Sequence, residues 1–219
     1  MSTFYPVSIH VGTWQFVNIL DPRHVRRQPR VDRPFRRMHT SMVNVAAKDS
    51  ETMTSPDNDR TYLPNSRACF ACGEENIAGL QLRFFVEDGK IKTWFQPKPH
   101  HCGYPNVLHG GVVAALLDET IAWAANRALA RMTVTAELKL RYRKPVPGDR
   151  RMLVWAEITK SARRIAYGTG AIVDETGEEF ARAEGSFIPL SAEQTLAIDD
   201  HLIYRGGEER VFDMLRNGP

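Results

Sequence analysis

Cysteine is scarce in this chain, with three in 219 residues. Cys69, Cys72 and Cys102 are too few for a disulfide framework, which excludes the small stapled folds. No apolar run reaches the roughly 18 uncharged residues that a membrane helix needs. The nearest candidate, residues 112–125, is interrupted by Asp118 and Glu119. The main body also lacks basic excess. Residues 1–48 hold eight Lys/Arg and two Asp/Glu, or +6, and the remainder holds 21 and 24, or −3, which together make the net +3. The positive charge therefore belongs to a leader, and the rest has no footprint for nucleic-acid binding. At 42% hydrophobic and 25% charged, the chain has the composition of a soluble globular protein.

Cys69-x-x-Cys72 fits either a redox pair or half of a metal site. His100, His101 and Cys102 make a zinc site conceivable, but their spacing is not that of a second ligand pair. The reading favoured here is a reduced turn, and no metal and no cofactor is assigned.

The stretch from Tyr104 to Asn126 organises the chain. A turn signal at Pro105–Asn106 precedes His109-Gly110-Gly111 and then four or five helical turns, roughly 109 to 128, that leave almost no polar face. A helix apolar all round is a buried one. Asp118 and Glu119 sit in its middle, and a buried carboxylate costs several kcal/mol unless paired. Residues that break local rules in this way tend to be functional. The alternative is that Asp118 lies on a narrow wet face and bonds a neighbouring strand.

Residues 1–63 read as a basic, disordered leader and linker. Thr13–Leu20 allows a short strand. Arg23–Arg37 packs seven arginines among prolines, and 48–60 is polar linker. The leader matches a mitochondrial transit peptide in part, but prolines punctuate it and no amphipathic helix emerges. The expected location is cytoplasmic, or mitochondrial if the leader is such a peptide.

The folded domain is expected over 64–190. Strands at Gln81–Glu87 and Lys90–Gln96 flank Asp88-Gly89, a strong hairpin signal. After the helix, Thr133–Arg143 alternates. Val134, Ala136, Leu138, Leu140 and Tyr142 share one side, with Thr135, Glu137, Lys139 and Arg141 on the other. Met152–Thr159, Arg164–Val173 and Phe180–Ile188 are three more strands. Gly168 and Gly170 suggest a bend or a close backbone approach in the second of them. Residues 191–219 form a polar tail with short helices around 193–198 and 208–216. The fold class is α+β, an antiparallel sheet curled around one helix. Its edge strands need covering, so a dimer is expected.

These motifs resemble the hotdog-fold acyl-CoA thioesterases, in the branch that includes the bacterial phenylacetate-pathway thioesterase and human mitochondrial relatives. The likeness runs from about Cys69 to Pro189. It rests on His109-Gly110-Gly111 with an acid nine residues after the histidine, on Cys69–Phe84, on Thr135–Pro145 and on Arg164–Phe187. Ile77 stands where proline is usual. The resemblance implies metal-independent hydrolysis of acyl-CoA to free acid and coenzyme A by a homodimer or homotetramer. It implies that the Gly110 amide, at the positive end of the helix, polarises the thioester carbonyl. Asp118 acts as base or nucleophile across the dimer interface, and Thr135 helps to place the water. Glu119 is a candidate substitute for Asp118, but neighbouring helix residues point about 100° apart. His109, Gly111 and Asn106 are the expected substrate contacts, with His109 also fitting a simple cap. Some members carry asparagine where this chain has Gly103, and Asn106 is the alternative. Arg141, Arg143, Lys144, Arg163 and Arg164 are candidates for coenzyme A phosphates or a solvated face. The competing readings are a hotdog-fold hydratase or dehydratase and a non-catalytic acyl-binding protein. The former needs a helix acid where Ala114 and Ala115 stand.

Overall fold

The computed structural model describes residues 60–218. The expectations for Thr13–Leu20, Arg23–Arg37 and the linker before residue 60 lie outside the described residues. In chain order the elements are β1 (Thr61–Tyr62), β2 (Asn65–Ser66), β3 (Phe85–Glu87), β4 (Lys90–Phe95), β5 (Cys102–Tyr104), β6 (Val107–Leu108) and α1 (Gly110–Leu129). Then follow β7 (Thr133–Tyr142), β8 (Met152–Ala162), β9 (Ile165–Val173), β10 (Glu179–Pro189), α2 (Ala192–Asp199), β11 (Leu202–Ile203) and α3 (Asp213–Asn217). Seven strands form one antiparallel sheet in the order β1-β3-β4-β8-β9-β10-β7. The helix α1 packs on β8, β9, β10, β7 and β4. This is the expected α+β arrangement.

The β3–β4 hairpin turns through Asp88 (φ 53°) and Gly89 (φ 72°). Positive φ at both central residues is what a type I′ turn requires, and it is why Asp-Gly stands there. The helix buries Val113, Leu116, Leu117, Ile121, Trp123 and Ala125 against the sheet. It lies close because β9 gives it room at two glycines. A Cβ at Gly170 would lie 2.8 Å from the Trp155 carbonyl oxygen and 3.1 Å from Ile121 Cγ1, and one at Gly168 would lie 2.6 Å from Ile121 Cγ2. The obstacle at Gly170 includes backbone, which cannot swing aside. Gly170→Val is therefore expected to overpack the helix–sheet joint and cost about 1–3 kcal/mol. Urea unfolding would show this as a lower midpoint at unchanged slope.

Strand β7 departs from simple alternation. Its pairing with β10 matches Glu137 to Ser186 but Thr135 to Phe187, so Ala136 is an extra, bulged residue. A one-residue shift reverses which face each side chain takes. Before the bulge, Thr133 and Thr135 turn to the helix, where they bond Asn126 and Asp118, while Val134 is 44% exposed. After it, Tyr142 reaches the helix start. The expected grouping of Val134 with Leu138 and Tyr142, and of Thr135 with Glu137, is thus corrected by the bulge.

The segment after Pro189 is seated on the domain. Phe212 is fully buried in the core, β11 pairs with β2, and the Glu209 amide donates to the Tyr62 carbonyl. Among the described residues, no helix is long and apolar enough to cross a membrane.

Candidate active site

Helix α1 begins with an unsatisfied end, as every helix does. His109 is the N-cap, and its Nδ1 accepts a hydrogen bond from the Gly111 amide at 3.0 Å. The amides of Val112 and Val113 donate to the His109 carbonyl. That leaves the Gly110 amide, at the first helical position, without an acceptor among the described residues. Its own carbonyl accepts from the Tyr142 hydroxyl at 2.7 Å. A groove of about 920 Å³ opens here, walled by Tyr104, His109, Gly110, Val113, Tyr142 and Val146. The lining is mainly apolar, with one free amide at the positive end of a helix dipole.

Two turns further along the helix, Asp118 Oδ1 accepts a bond from Thr135 Oγ1 at 2.8 Å. Burial raises the Asp118 carboxyl above its ordinary value, and the Thr135 hydroxyl works against that rise. A raised carboxylate is a stronger base once ionised. Thr135 stands exposed on β7, the edge strand of the sheet. Eight residues of helix separate Gly110 from Asp118, about 12 Å of rise.

The other expected site residues fall as follows. Glu119 is turned away from Thr135 toward Cys69, with Sγ to Oε1 3.8 Å. Burial pushes its carboxyl up to about 7. It does not share the Asp118–Thr135 pair. The Gly111 amide is occupied by His109, so it is not a free substrate donor. Asn106, at φ 58°, sits at the exposed tip of the β5–β6 turn and does not wall the groove. Gly103 lies under the His109 ring, where a Cβ would be 3.2 Å from Cδ2. No side chain fits there without moving the cap, which accounts for glycine at that position. His100 and His101 edge-stack on each other, His101 accepts from the Lys98 amide, and Cys102 points at the Lys98 carbonyl. None of the three joins Cys69 and Cys72.

Tyr142 was not among the expected site residues. Its place beside Leu138 and Leu140 in the alternation was the signal that it faced inward. Thr135→Val removes the hydroxyl from Asp118 while keeping the shape. For the hydrolysis that the resemblance implies, the expected result is a fall in turnover of about tenfold, from the loss of one hydrogen bond to a charged group, read as kcat on a thioester substrate.

Residues 105–181, the segment that carries Gly110, Asp118 and Thr135, match the thioesterase superfamily. An uncharacterized protein of Schizosaccharomyces pombe is 30% identical over 115 residues, which cover 49% of this chain and 66% of that protein. The Bos taurus acyl-coenzyme A thioesterase THEM4 is 25% identical over 129 residues, covering 58% of this chain and 53% of that one. The chain thus spans less than two thirds of either relative. A crystallised thioesterase superfamily protein superposes with a TM-score of 0.52 at 26% identity, over 56% of this chain and 63% of its own. The chain carries the hotdog fold, and over residues 105–181 it is similar to the thioesterase superfamily.

Proposed function

We propose that the protein hydrolyses acyl-CoA thioesters to a free acid and coenzyme A, in a site shared by two copies of the chain. The observation that carries this reading is the pairing of a free helix-start amide with a half-buried, hydroxyl-bonded carboxylate too far along the same helix to serve it. One thioester and one water span far less than about 12 Å. The Gly110 amide of one protomer and Asp118 of its partner therefore face the same substrate. The edge strand β7, with Val134 and Tyr142 exposed on it and Ile188 exposed on its neighbour β10, supplies the surface along which a second copy pairs.

In this reading the Gly110 N–H holds the thioester carbonyl oxygen as negative charge develops on it. Asp118 takes a proton from water held near Thr135, the water oxygen adds to the carbonyl carbon, and the C–S bond breaks. The proton taken up by Asp118 passes to the sulfur, which leaves as coenzyme A thiol, and the carboxylate is restored. The apolar groove takes the acyl chain. Arg143 is paired with Glu179 and Lys144 with Glu178. Both line the groove, whereas Arg163 and Arg164 stand exposed on the β8–β9 turn. The bovine relative's name as an acyl-coenzyme A thioesterase supports the substrate class. Against a hydratase stands the helix start itself, where Ala114 and Ala115 offer no acid.

The test is a panel of saturated and 2-enoyl acyl-CoA thioesters with the wild-type protein, scored for free thiol. Hydrolysis releases thiol from saturated members. A hydratase consumes the enoyl double bond and leaves the thioester intact, and a binding protein does neither.

A further inference from the structure

We propose that Cys69, Cys72 and Glu119 form a zinc site that fastens the loop around residues 66–75 to the middle of α1. This goes beyond thioester hydrolysis and does not rest on it. The two sulfurs and a Glu119 carboxylate oxygen lie within 4.8 Å of one another. Around a tetrahedral zinc, ligands at about 2.3 Å for sulfur and 2.0–2.2 Å for oxygen sit roughly 3.4–3.8 Å apart. A small inward movement of three side chains therefore closes the site.

The loop is built for this. The Gly73 amide donates to the Cys69 carbonyl at 2.9 Å, closing the Cys-x-x-Cys turn. A Cβ at Gly73 would lie 2.3 Å from the Cys69 carbonyl oxygen and 2.6 Å from its nitrogen, so only glycine fits. The Ala71 amide donates to Cys69 Sγ at 3.3 Å, and the Cys69 amide donates to Ser66 Oγ. An amide aimed at a sulfur orients it and favours the thiolate, the form that binds metal.

Glu119 is the second, independent pointer. It comes from 50 residues away along the chain and turns into the loop. Its only side-chain partners among the described residues are thiols, which are weak donors. Half-buried beside the two sulfurs, its carboxylate oxygen is placed to serve as a third ligand to a cation. Two thiolates and a carboxylate carry −3, and a divalent ion lowers that to −1. Thiolate sulfur selects zinc over magnesium or calcium. Three protein ligands leave one position for water. The zinc site conceivable from the sequence thus gains Glu119 in place of His100, His101 and Cys102, and the assignment of no metal is revised.

The test uses the full chain, purified reduced from zinc-supplemented growth. About one zinc per chain is expected after dialysis, falling to near zero in Cys72→Ser and weakened at least about tenfold in Glu119→Gln. Alkylation supplies a readout on the wild type alone, should Cys72→Ser fail to fold. Cys102 is modified at once, whereas Cys69 and Cys72 react only after a strong chelator is added. Cobalt(II) in place of zinc is expected to show a thiolate charge-transfer band. A reduced wild-type chain that retains neither zinc nor cobalt overturns the proposal, as does equal metal content in wild type, Cys72→Ser and Glu119→Gln.

Discussion

For the proposed hydrolysis of acyl-CoA, Asp118→Asn is expected to lower kcat by roughly 10²–10⁴-fold, the range that a positioned general base contributes. Asparagine keeps the size of the side chain and still accepts the bond that Thr135 Oγ1 gives Asp118 at 2.8 Å. What it loses is the ability to take a proton from water. Because the substitution is nearly isosteric and removes a half-buried charge, the fold is retained. A change confined to kcat at similar KM marks an interaction made only in the transition state. Steady-state thiol release and circular dichroism on the same preparation check both parts. Glu119→Gln is expected to leave much more turnover, since Glu119 faces the cysteine loop rather than Thr135.

The second large effect is at the other end of the site. Gly110→Pro replaces the N–H with a ring carbon, and is expected to lower kcat by at least about 10²–10³-fold, the cost of losing one oxyanion donor. Proline is favoured at the first position of a helix because its fixed φ suits the turn and its missing N–H has no helical partner there. His109, at φ −63° and ψ 135°, already has the extended backbone that a residue before proline adopts. Gly110→Ala is the control. It keeps the N–H, and its Cβ would lie 3.2 Å from the Tyr142 hydroxyl, so Tyr142 shifts slightly. A loss far smaller than that of the proline variant assigns the effect to the donor and not to crowding. Circular dichroism of all three proteins checks that the helix persists.

The elements that the sequence made legible are those governed by one local period or one turn rule. The all-apolar run of α1 and the Asp88-Gly89 turn specify themselves, and both stand where expected. Gly168 and Gly170 signalled a close approach, but that Ile121 fills the space is a tertiary fact. The face taken by Thr135 was misread because a strict period of two carries no mark of the extra residue at Ala136. A bulge is decided by the partner strand, and β10 lies far along the chain. Glu119 stands beside Asp118 in the sequence as a candidate substitute, on a face about 100° away. In a helix, adjacency means different faces, and only the fold shows that Glu119's face meets Cys69 and Cys72. The tail after Pro189 looked polar because its anchors are few. Val211 and Phe212, both buried, seat its end together with the Glu209 amide on the Tyr62 carbonyl.

In the proposed site the amide and the carboxylate come from different protomers. Co-expressing Asp118→Asn and Gly110→Pro chains under two affinity tags, and isolating the mixed dimer, tests it directly. In that dimer one of the two sites keeps both an intact Gly110 amide and an intact Asp118. Thiol release from acyl-CoA is then predicted at about half the wild-type rate, by the symmetry of a two-fold pair, although each parent homodimer is nearly inactive. A mixed dimer as inactive as its parents would contradict the shared site.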